Sequence, residues 1–505
     1  MAKRKKSLAK KLHKWPGLIV GLLLIFFSVS GILMNHRTWI SSFDIQRKYL
    51  PESYAFQNWN RSAIRGSYKI APDSLLVYGN AGIWLTGSSC QSFVFFSQGI
   101  PDAADQRKTY DVISFKNRLF AATNFGLYSF QNQWEKVEIP MDGHRVVDLA
   151  VIDSELYILT RSKLFKCSKN DLSEFEKVDL PPPEDYKKEL SLFKTLWDIH
   201  SGEFLGLPGK LIVDLMGLIV FVLSLTGIIF FFNPRFRRWF KVYKKYTPRK
   251  LTKWSLTYHN KLGKYTFIII GLIALTGMFL RPPLLIPVAN VQVPVIPYTH
   301  YDQPNPWYDK LRAMLYDEQE RRILFSTSEG MYYSGKDFKG EMKRFEHQPV
   351  VSVMGINVFE KIAPGDYLVG SFSGLYRWKP DQRYLMNVVN RRPAGTGQGI
   401  GNPFGGTAVA GFIENKDGKA YLFDYNRGAV TLGHTERFGK MPEKLSEEGD
   451  VSLWNLALEV HTGRIYSFFL GDFYILIVPL AGLTTIIVVI SGYIIYRKRH
   501  RRFGN

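Results

Sequence analysis

Cysteine is nearly absent from this 505-residue chain: Cys90 and Cys167 are the only two, and no spacing signature links them. That leaves room for at most one disulfide, formed in an oxidising compartment. Acids are missing altogether from residues 1–15 and from residues 233–261. No serine–histidine–aspartate, zinc or phosphate-binding motif is present. The run Gly395–Gly401 has the glycine content of a dinucleotide fingerprint but neither the strand before it nor the helix after it, so it reads as a loop. What is abundant is apolar: 46% of residues are hydrophobic and 15% aromatic, which excludes disorder.

The formal charge of +22 suggests a nucleic-acid partner until its location is considered. Seven basic residues lie in 1–15 (Lys3, Arg4, Lys5, Lys6, Lys10, Lys11, Lys14), ten in 233–261, and five in the tail (Arg497, Lys498, Arg499, Arg501, Arg502). These three blocks carry the whole excess, and the remainder is balanced. Each block flanks an apolar run, which makes it a topology signal and excludes nucleic acid. The runs are Gly17–Met34, Leu211–Phe232 (broken only by Asp214), Tyr265–Leu280 and Phe473–Tyr496, each near the roughly 20 residues that cross a bilayer as helix. The first run is too long for a secretory h-region, and Met34-Asn35-His36 offers no small-residue cleavage site, so it reads as an uncleaved anchor. The basic flanks predict both termini and the 233–261 loop in the cytosol. Two large insertions then lie outside it. The expected divisions are 1–36, 37–198, 199–283, 284–452 and 453–505.

The chain repeats itself. Span one opens Leu12-His13-Lys14-Trp15-Pro16-Gly17 and closes Ser30-Gly31; span three opens Tyr258-His259-Asn260-Lys261-Leu262-Gly263 and closes Thr276-Gly277. Span two follows His200-Ser201-Gly202 and carries Gly217 and Thr226-Gly227; span four follows His461-Thr462-Gly463-Arg464 and carries Gly482 and Ser491-Gly492. The insertions repeat too, as six strand–turn–strand units with turns near Gly82, Gly126, Lys163, Gly330, Gly374 and Gly428. The predicted fold class is membrane α + β: a four-transmembrane-helix bundle with two periplasmic β-rich insertions. The hairpin spacing suggests one split β-propeller of six or more blades, the alternative being two separate antiparallel β domains.

Four of the ten histidines occupy equivalent places in the duplication. His13 and His259 sit at the cytosolic ends of spans one and three, level with Gly227 and Gly492. His200 and His461 lead into spans two and four on the outer side, level with Gly31 and Gly277. Each face thus offers two imidazoles and two glycines, the arrangement a b-type haem needs: one imidazole on each side of the iron, and room for the ring edges between helices. His13 to Gly31 is roughly 27 Å of helix, so two haems would lie near opposite faces of the membrane. An interfacial histidine also serves simply to bond headgroups, and Ser/Thr-Gly is a common helix-packing pair. His36 is a rival outer ligand, and Pro208-Gly209 a candidate break between His200 and span two. Asp214 is a candidate proton or propionate partner. Arg464 is a candidate propionate ligand or an interfacial snorkel.

The elements LHKWPG…SG, DIHSGEFLG…LTG, YHNKLG…LTG and VHTGR…ISG resemble the PepSY-associated transmembrane helix family. Members are bacterial inner-membrane proteins, and some are di-haem reductases of ferric siderophores. The resemblance implies haem ligation by His13, His259, His200 and His461. The insertions depart from it, with β-hairpin repeats in place of small α/β PepSY modules. The resulting expectation is an inner-membrane haem b oxidoreductase that takes electrons from quinol or a separate reductase. It passes them to a ferric siderophore or a periplasmic carrier. The rival expectation is a non-enzymatic periplasmic propeller, binding or sensing, that the helices only anchor in lipid.

Overall fold

The structure, a computed structural model, describes residues 8–140, 143–168, 174–239, 248–289, 291–350, 355–395, 406–447 and 449–500. Lys3, Arg4, Lys5, Lys6, Lys241, Lys244, Lys245, Arg501, Arg502 and residues 396–401 lie outside the described residues. The chain divides into two compact units. One comprises Met1–Ile40, Lys188–Asp302 and Leu453–Asn505; the other comprises Ser41–Lys187 and Gln303–Ser452. Both insertions therefore build a single unit and not two.

The first unit is helical: α1 (Leu8–Asn35), α2 (Leu192–Ser201), α3 (Gly206–Trp239), α4 (Pro248–Met278), α5 (Leu453–His461) and α6 (Ile477–His500). Four stretches are long and apolar enough to cross a membrane: Leu8–Asn35, Glu203–Phe232, Thr252–Met278 and Arg464–Lys498. The four long helices pack as a ring, α1 on α3, α3 on α4, α4 on α6 and α6 on α1. Apolar side chains alone do not drive such packing in lipid, so close backbone approach must. Gly482 supplies one such approach: a Cβ there would lie 2.7 Å from Met278 Cβ on α4. Gly217 supplies another, 3.2 Å from Ile32 on α1.

The short helices α2 and α5 lean on α4 and α1 respectively. Ser191 caps α2, its hydroxyl accepting from Lys194 N at 3.2 Å. The chain breaks after α2 at Gly202 (φ 80°) and Gly206 (φ 64°), upstream of Pro208, which sits harmlessly in the first turn of α3. The expected break at Pro208-Gly209 is therefore corrected to Gly202–Gly206, where positive φ ends the helix. Gly463 (φ 77°) and Gly471 (φ 54°) do the same after α5.

Among the described residues the second unit has a two-stranded antiparallel pairing of Asp44–Gln46 with Asp450–Ser452 and six antiparallel meander sheets. Their central hairpins are Ser74–Gly79/Gly82–Gly87, Arg118–Thr123/Gly126–Phe130, Glu155–Thr160/Leu164–Cys167, Arg322–Thr327/Met331–Gly335, Asp366–Ser371/Gly374–Lys379 and Ala420–Asp424/Gly428–Leu432. Every sheet adds an inner first strand, and most add an outer one. The first strands adjoin in sequence order: Gly66–Ala71, Thr109–Phe115, Val146–Ile152, Leu311–Asp317, Val358–Ala363 and Val409–Glu414, with the last beside the first again. The insertions are sewn together there: Phe412 N donates to Arg65 O (3.1 Å), Arg61 N to Tyr425 O (2.7 Å) and Ala429 N to Asn58 O (2.7 Å). Four tryptophans anchor the core, each indole N–H donating to a backbone carbonyl: Trp59 to Gly439 (2.8 Å), Trp134 to Phe96 (2.7 Å), Trp307 to Pro181 (2.8 Å) and Trp378 to His347 (2.7 Å). No disulfide joins Cys90 and Cys167; both are buried thiols, Cys90 in the connection between strands Gly82–Gly87 and Phe93–Phe95 and Cys167 at the end of the strand Leu164–Cys167.

Bulges at Thr109/Asp111 and Val146/Asp148 aim two carboxyls at the neighbouring sheet. Asp111 accepts from Leu149 N (3.3 Å) and from the Tyr78 hydroxyl (3.0 Å), and Asp148 accepts from Met314 N (2.7 Å). Burial raises both above the ordinary carboxylate range, Asp148 well above it because Asp111 adds its charge. The folded state therefore holds protons that the unfolded chain releases near pH 4. Stability from this pair is complete below that pH and is lost as pH rises through the elevated values. Asp148→Asn keeps an acceptor for Met314 N–H and is expected to flatten that fall in a thermal-unfolding series across pH. Asp148→Ala strands the donor and is expected to cost about 1–3 kcal/mol at every pH.

Candidate functional site

The four duplicated histidines meet in two pairs. His13 on α1 faces His259 on α4 with ring centroids 6.0 Å apart and planes at 78°. His200 on α2 faces His461 on α5 at 5.9 Å and 56°.

Each ring is held in the same way. His13 Nδ1 donates to Val488 O (2.9 Å), His461 Nδ1 to Phe27 O (3.0 Å) and His200 Nδ1 to Ile273 O (2.8 Å), while His259 lies on the Leu223 backbone. These carbonyls stand four residues before Gly492, Gly31, Gly277 and Gly227, one helical turn from each glycine. The glycines admit the imidazoles themselves. A Cβ would stand 2.5 Å from His200 Cε1 at Gly277, 2.8 Å from His13 Cε1 at Gly492, 3.1 Å from His461 Cε1 at Gly31 and 3.5 Å from His259 Cε1 at Gly227. At two of the four glycines the preceding hydroxyl residue also takes part. Thr226 Oγ1 donates to Val222 O (2.7 Å) and so presents a lone pair to His259 Nδ1 (3.1 Å). Ser30 donates to Phe26 O (2.7 Å) and receives His461 Nδ1 (3.1 Å).

The chemistry follows from the tautomer. A proton fixed on Nδ1 leaves the Nε2 lone pair as the ligand atom. Among the described residues no hydrogen bond engages Nε2 of His13, His200, His259 or His461. With ring centroids 6.0 and 5.9 Å apart, the two imidazoles of each pair lie close enough that both would ligate one iron, His13 with His259 and His200 with His461. Three buried polar atoms without a hydrogen-bond partner among the described residues flank these pairs: Ser255 Oγ, one turn before His259, Asp198 Oδ2, two residues before His200, and Arg464 Nε, three residues after His461. The residues present fit a bis-imidazole haem in each pair. Because α1 carries both His13 and Gly31 without a break, the pairs stand roughly 27 Å apart along it.

His36 is not brought to either pair. Its Nε2 meets Asp214 Oδ2 at 2.8 Å and its ring stacks on Trp39 at 4.7 Å, so the rival outer ligand is occupied otherwise. Arg464 pairs with Glu459 at 2.5 Å and lies close enough to Arg281 to depress the Arg281 guanidinium, which burial already lowers. Asp198, on α2 beside His200, bonds Lys194 at 2.9 Å, and burial pushes its carboxyl up to about 6. Sequence reasoning missed the carbonyls of Val488, Phe27, Ile273 and Leu223 and the hydroxyls of Thr226 and Ser30. The repeated Ser/Thr-Gly dipeptide was the signal that pointed to them.

A family model, the PepSY-associated TM region, matches residues 10–499. The chain belongs to that family. It is a multi-pass membrane protein carrying a large β-rich domain. No curated protein matches it. Among solved structures it is similar, at 10% identity, to the extracellular domain of a hybrid two component system from B. thetaiotaomicron, covering 78% of this chain and 40% of that one with a TM-score of 0.34. A second such domain from the same organism covers 73% and 33% with a TM-score of 0.33. PorZ, a surface component of the type-IX secretion system of Porphyromonas gingivalis, covers 77% and 39% at 10% identity and a TM-score of 0.30. The chain thus spans at most 40% of these proteins' lengths, and likenesses this distant carry no argument about function.

Proposed function

We propose that this PepSY-associated TM protein is a b-type haem oxidoreductase of the bacterial inner membrane. In this reading both termini are cytosolic and the β unit is periplasmic, a six-bladed split propeller. The cycle of adjoining first strands supports that propeller, since radial repetition of meander sheets leaves only short, protected edges. The basic flanks of the spans support the orientation.

Two haems, one per histidine pair, would supply one-electron chemistry and a relay across the membrane. The chain's own part is ligation, spacing and insulation. His13 with His259, and His200 with His461, present Nε2 to the metal and keep Nδ1 on a backbone carbonyl, which fixes ring orientation and raises ligand basicity. The α1, α3, α4 and α6 ring excludes water. Arg464, already half-committed to Glu459, keeps Nε for a propionate. Electrons enter from quinol or a separate reductase and leave to a ferric chelate of the siderophore class, delivered free or on a periplasmic carrier. The observation that carries the reading is the repeated 6 Å pairing of Nδ1-anchored imidazoles.

The test is vectorial. Full-length protein in sealed vesicles with reductant inside and a ferric chelate outside should release Fe(II) to an external ferrous indicator. His13→Ala and His461→Ala should each bring that rate down to the level of empty vesicles. Equal rates with and without the histidines would refute the reading.

A further inference from the structure

The acid that interrupts Leu211–Phe232 is built into a couple the relay has not yet used. Asp214 Oδ1 accepts from Asn35 Nδ2 (2.8 Å) and Oδ2 from His36 Nε2 (2.8 Å). Both oxygens are thereby occupied as a carboxylate would occupy them. The pair is largely sequestered, with side-chain exposures of 20% for His36 and 13% for Asp214. Asn35 Nδ2 also donates to Ser201 O (3.3 Å), and Ser201 directly follows His200. An ionisable group inside a span is expensive to keep and is by default functional. With a neutral His36 the couple carries one negative charge; with an imidazolium it carries none.

The other charges on the elements packed around it are committed elsewhere. Lys210, one turn before Asp214 on α3, bonds Glu203 at 3.0 Å. On α2, Asp198 bonds Lys194, and on α5, Glu459 bonds Arg464. Arg37 lies over the Trp454 ring at 4.0 Å. His200 and His461 are each held through Nδ1, and His300 lies beside Glu203.

We propose that the His36–Asp214 couple is the proton-accepting site that charges and discharges in step with the redox centre at His200 and His461. The inference rests on the haem reading above. One electron reaching that centre from the quinol or reductase donor adds one negative charge nearby. One proton from water then binds the free ring nitrogen of His36, and the couple becomes neutral. When the electron leaves to the ferric acceptor, that N–H bond breaks and the proton returns to water. Charge and atoms balance at each stroke, and no further reactant is needed.

The experiment is a spectroelectrochemical titration of the purified full-length protein from pH 5.5 to 8.5. In the native chain the reduction equilibrium of one of the two centres should become less favourable by up to about tenfold per pH unit, roughly 59 mV. His36→Gln retains a donor toward Asp214, and Asp214→Asn retains the shape of its partner; in both that slope should vanish while the other centre is unchanged. If Asp214→Asn does not accumulate, His36→Gln decides alone. A slope that persists in these variants, is absent from the native chain, or disappears only in Asp198→Asn overturns this proposal and leaves the haem reading standing. A colourless native protein overturns both.

Discussion

Gly277→Ala is expected to cost the protein its His200–His461 centre, while Gly227→Ala leaves its counterpart at His13–His259 in place. Both glycines follow a threonine and lie against an imidazole, Gly277 against His200 and Gly227 against His259, but with different clearance. At Gly277 the new methyl would stand 2.5 Å from His200 Cε1 and 2.8 Å from its Nδ1, so one of them must move. The helix backbone is fixed by its own ladder, which leaves the ring. The ring can yield only by giving up the 2.8 Å bond from Nδ1 to Ile273 O, the bond that fixes the tautomer. Losing such support typically lowers metal affinity about 10–100-fold, and overpacking adds about 1–3 kcal/mol. At Gly227 the methyl would meet His259 Cε1 at 3.5 Å, ordinary van der Waals contact. Difference spectra of the two variants at equal protein concentration check this. Equal haem loss in both, or in neither, would show that the glycines do not act through the imidazoles.

Trp59→Ala should produce the largest loss of stability in the β unit. The side chain is fully buried, and its indole reaches across from the first insertion to the Gly439 carbonyl of the second at 2.8 Å. Truncation leaves a cavity of indole size, which costs about 3–5 kcal/mol, and strands a buried carbonyl. The neighbouring Asn58 also accepts from Ala429 N, and Gly428 has no room for a side chain, a Cβ there falling within 1.8 Å of Asn58 O. The loss should therefore appear as release of the seam between the insertions. Limited proteolysis with time would detect early cuts near residues 41–65 and 425–445 while the helical unit stays intact. A melting profile unchanged from the native chain would contradict the assignment of this seam as the closure of the unit.

The sequence made some of this legible for physical reasons. Apolar runs of membrane length leave little alternative to helix, so all four spans could be read directly. The helices start well before the apolar runs, at Leu8 against Gly17 and at Pro248 against Tyr265, because basic and polar residues extend them by several turns. The six hairpins could be read because tight turns demand glycine or its equivalents at fixed offsets. Their first and fourth strands could not: Val146–Ile152 and Leu311–Asp317, for example, each carry a bulge that breaks the period of two. Pro208 misled because proline breaks helix interiors but suits a first turn, and the true break lies in Gly202 and Gly206. His36 stood as a rival outer ligand, although only His200 has a counterpart in the repeat. Only the fold reveals that Asp214 takes it and that Ile273 and Phe27 offer carbonyls to the other two.

The central claim is that two imidazole pairs hold two iron porphyrins, and haem stoichiometry tests it most directly. Alkaline pyridine treatment of the purified full-length protein should give b-type haemochrome at two per chain, falling to one in His259→Ala and one in His200→Ala, and to none when both are changed. A native protein without haemochrome, or variants that keep the native ratio, would contradict the account.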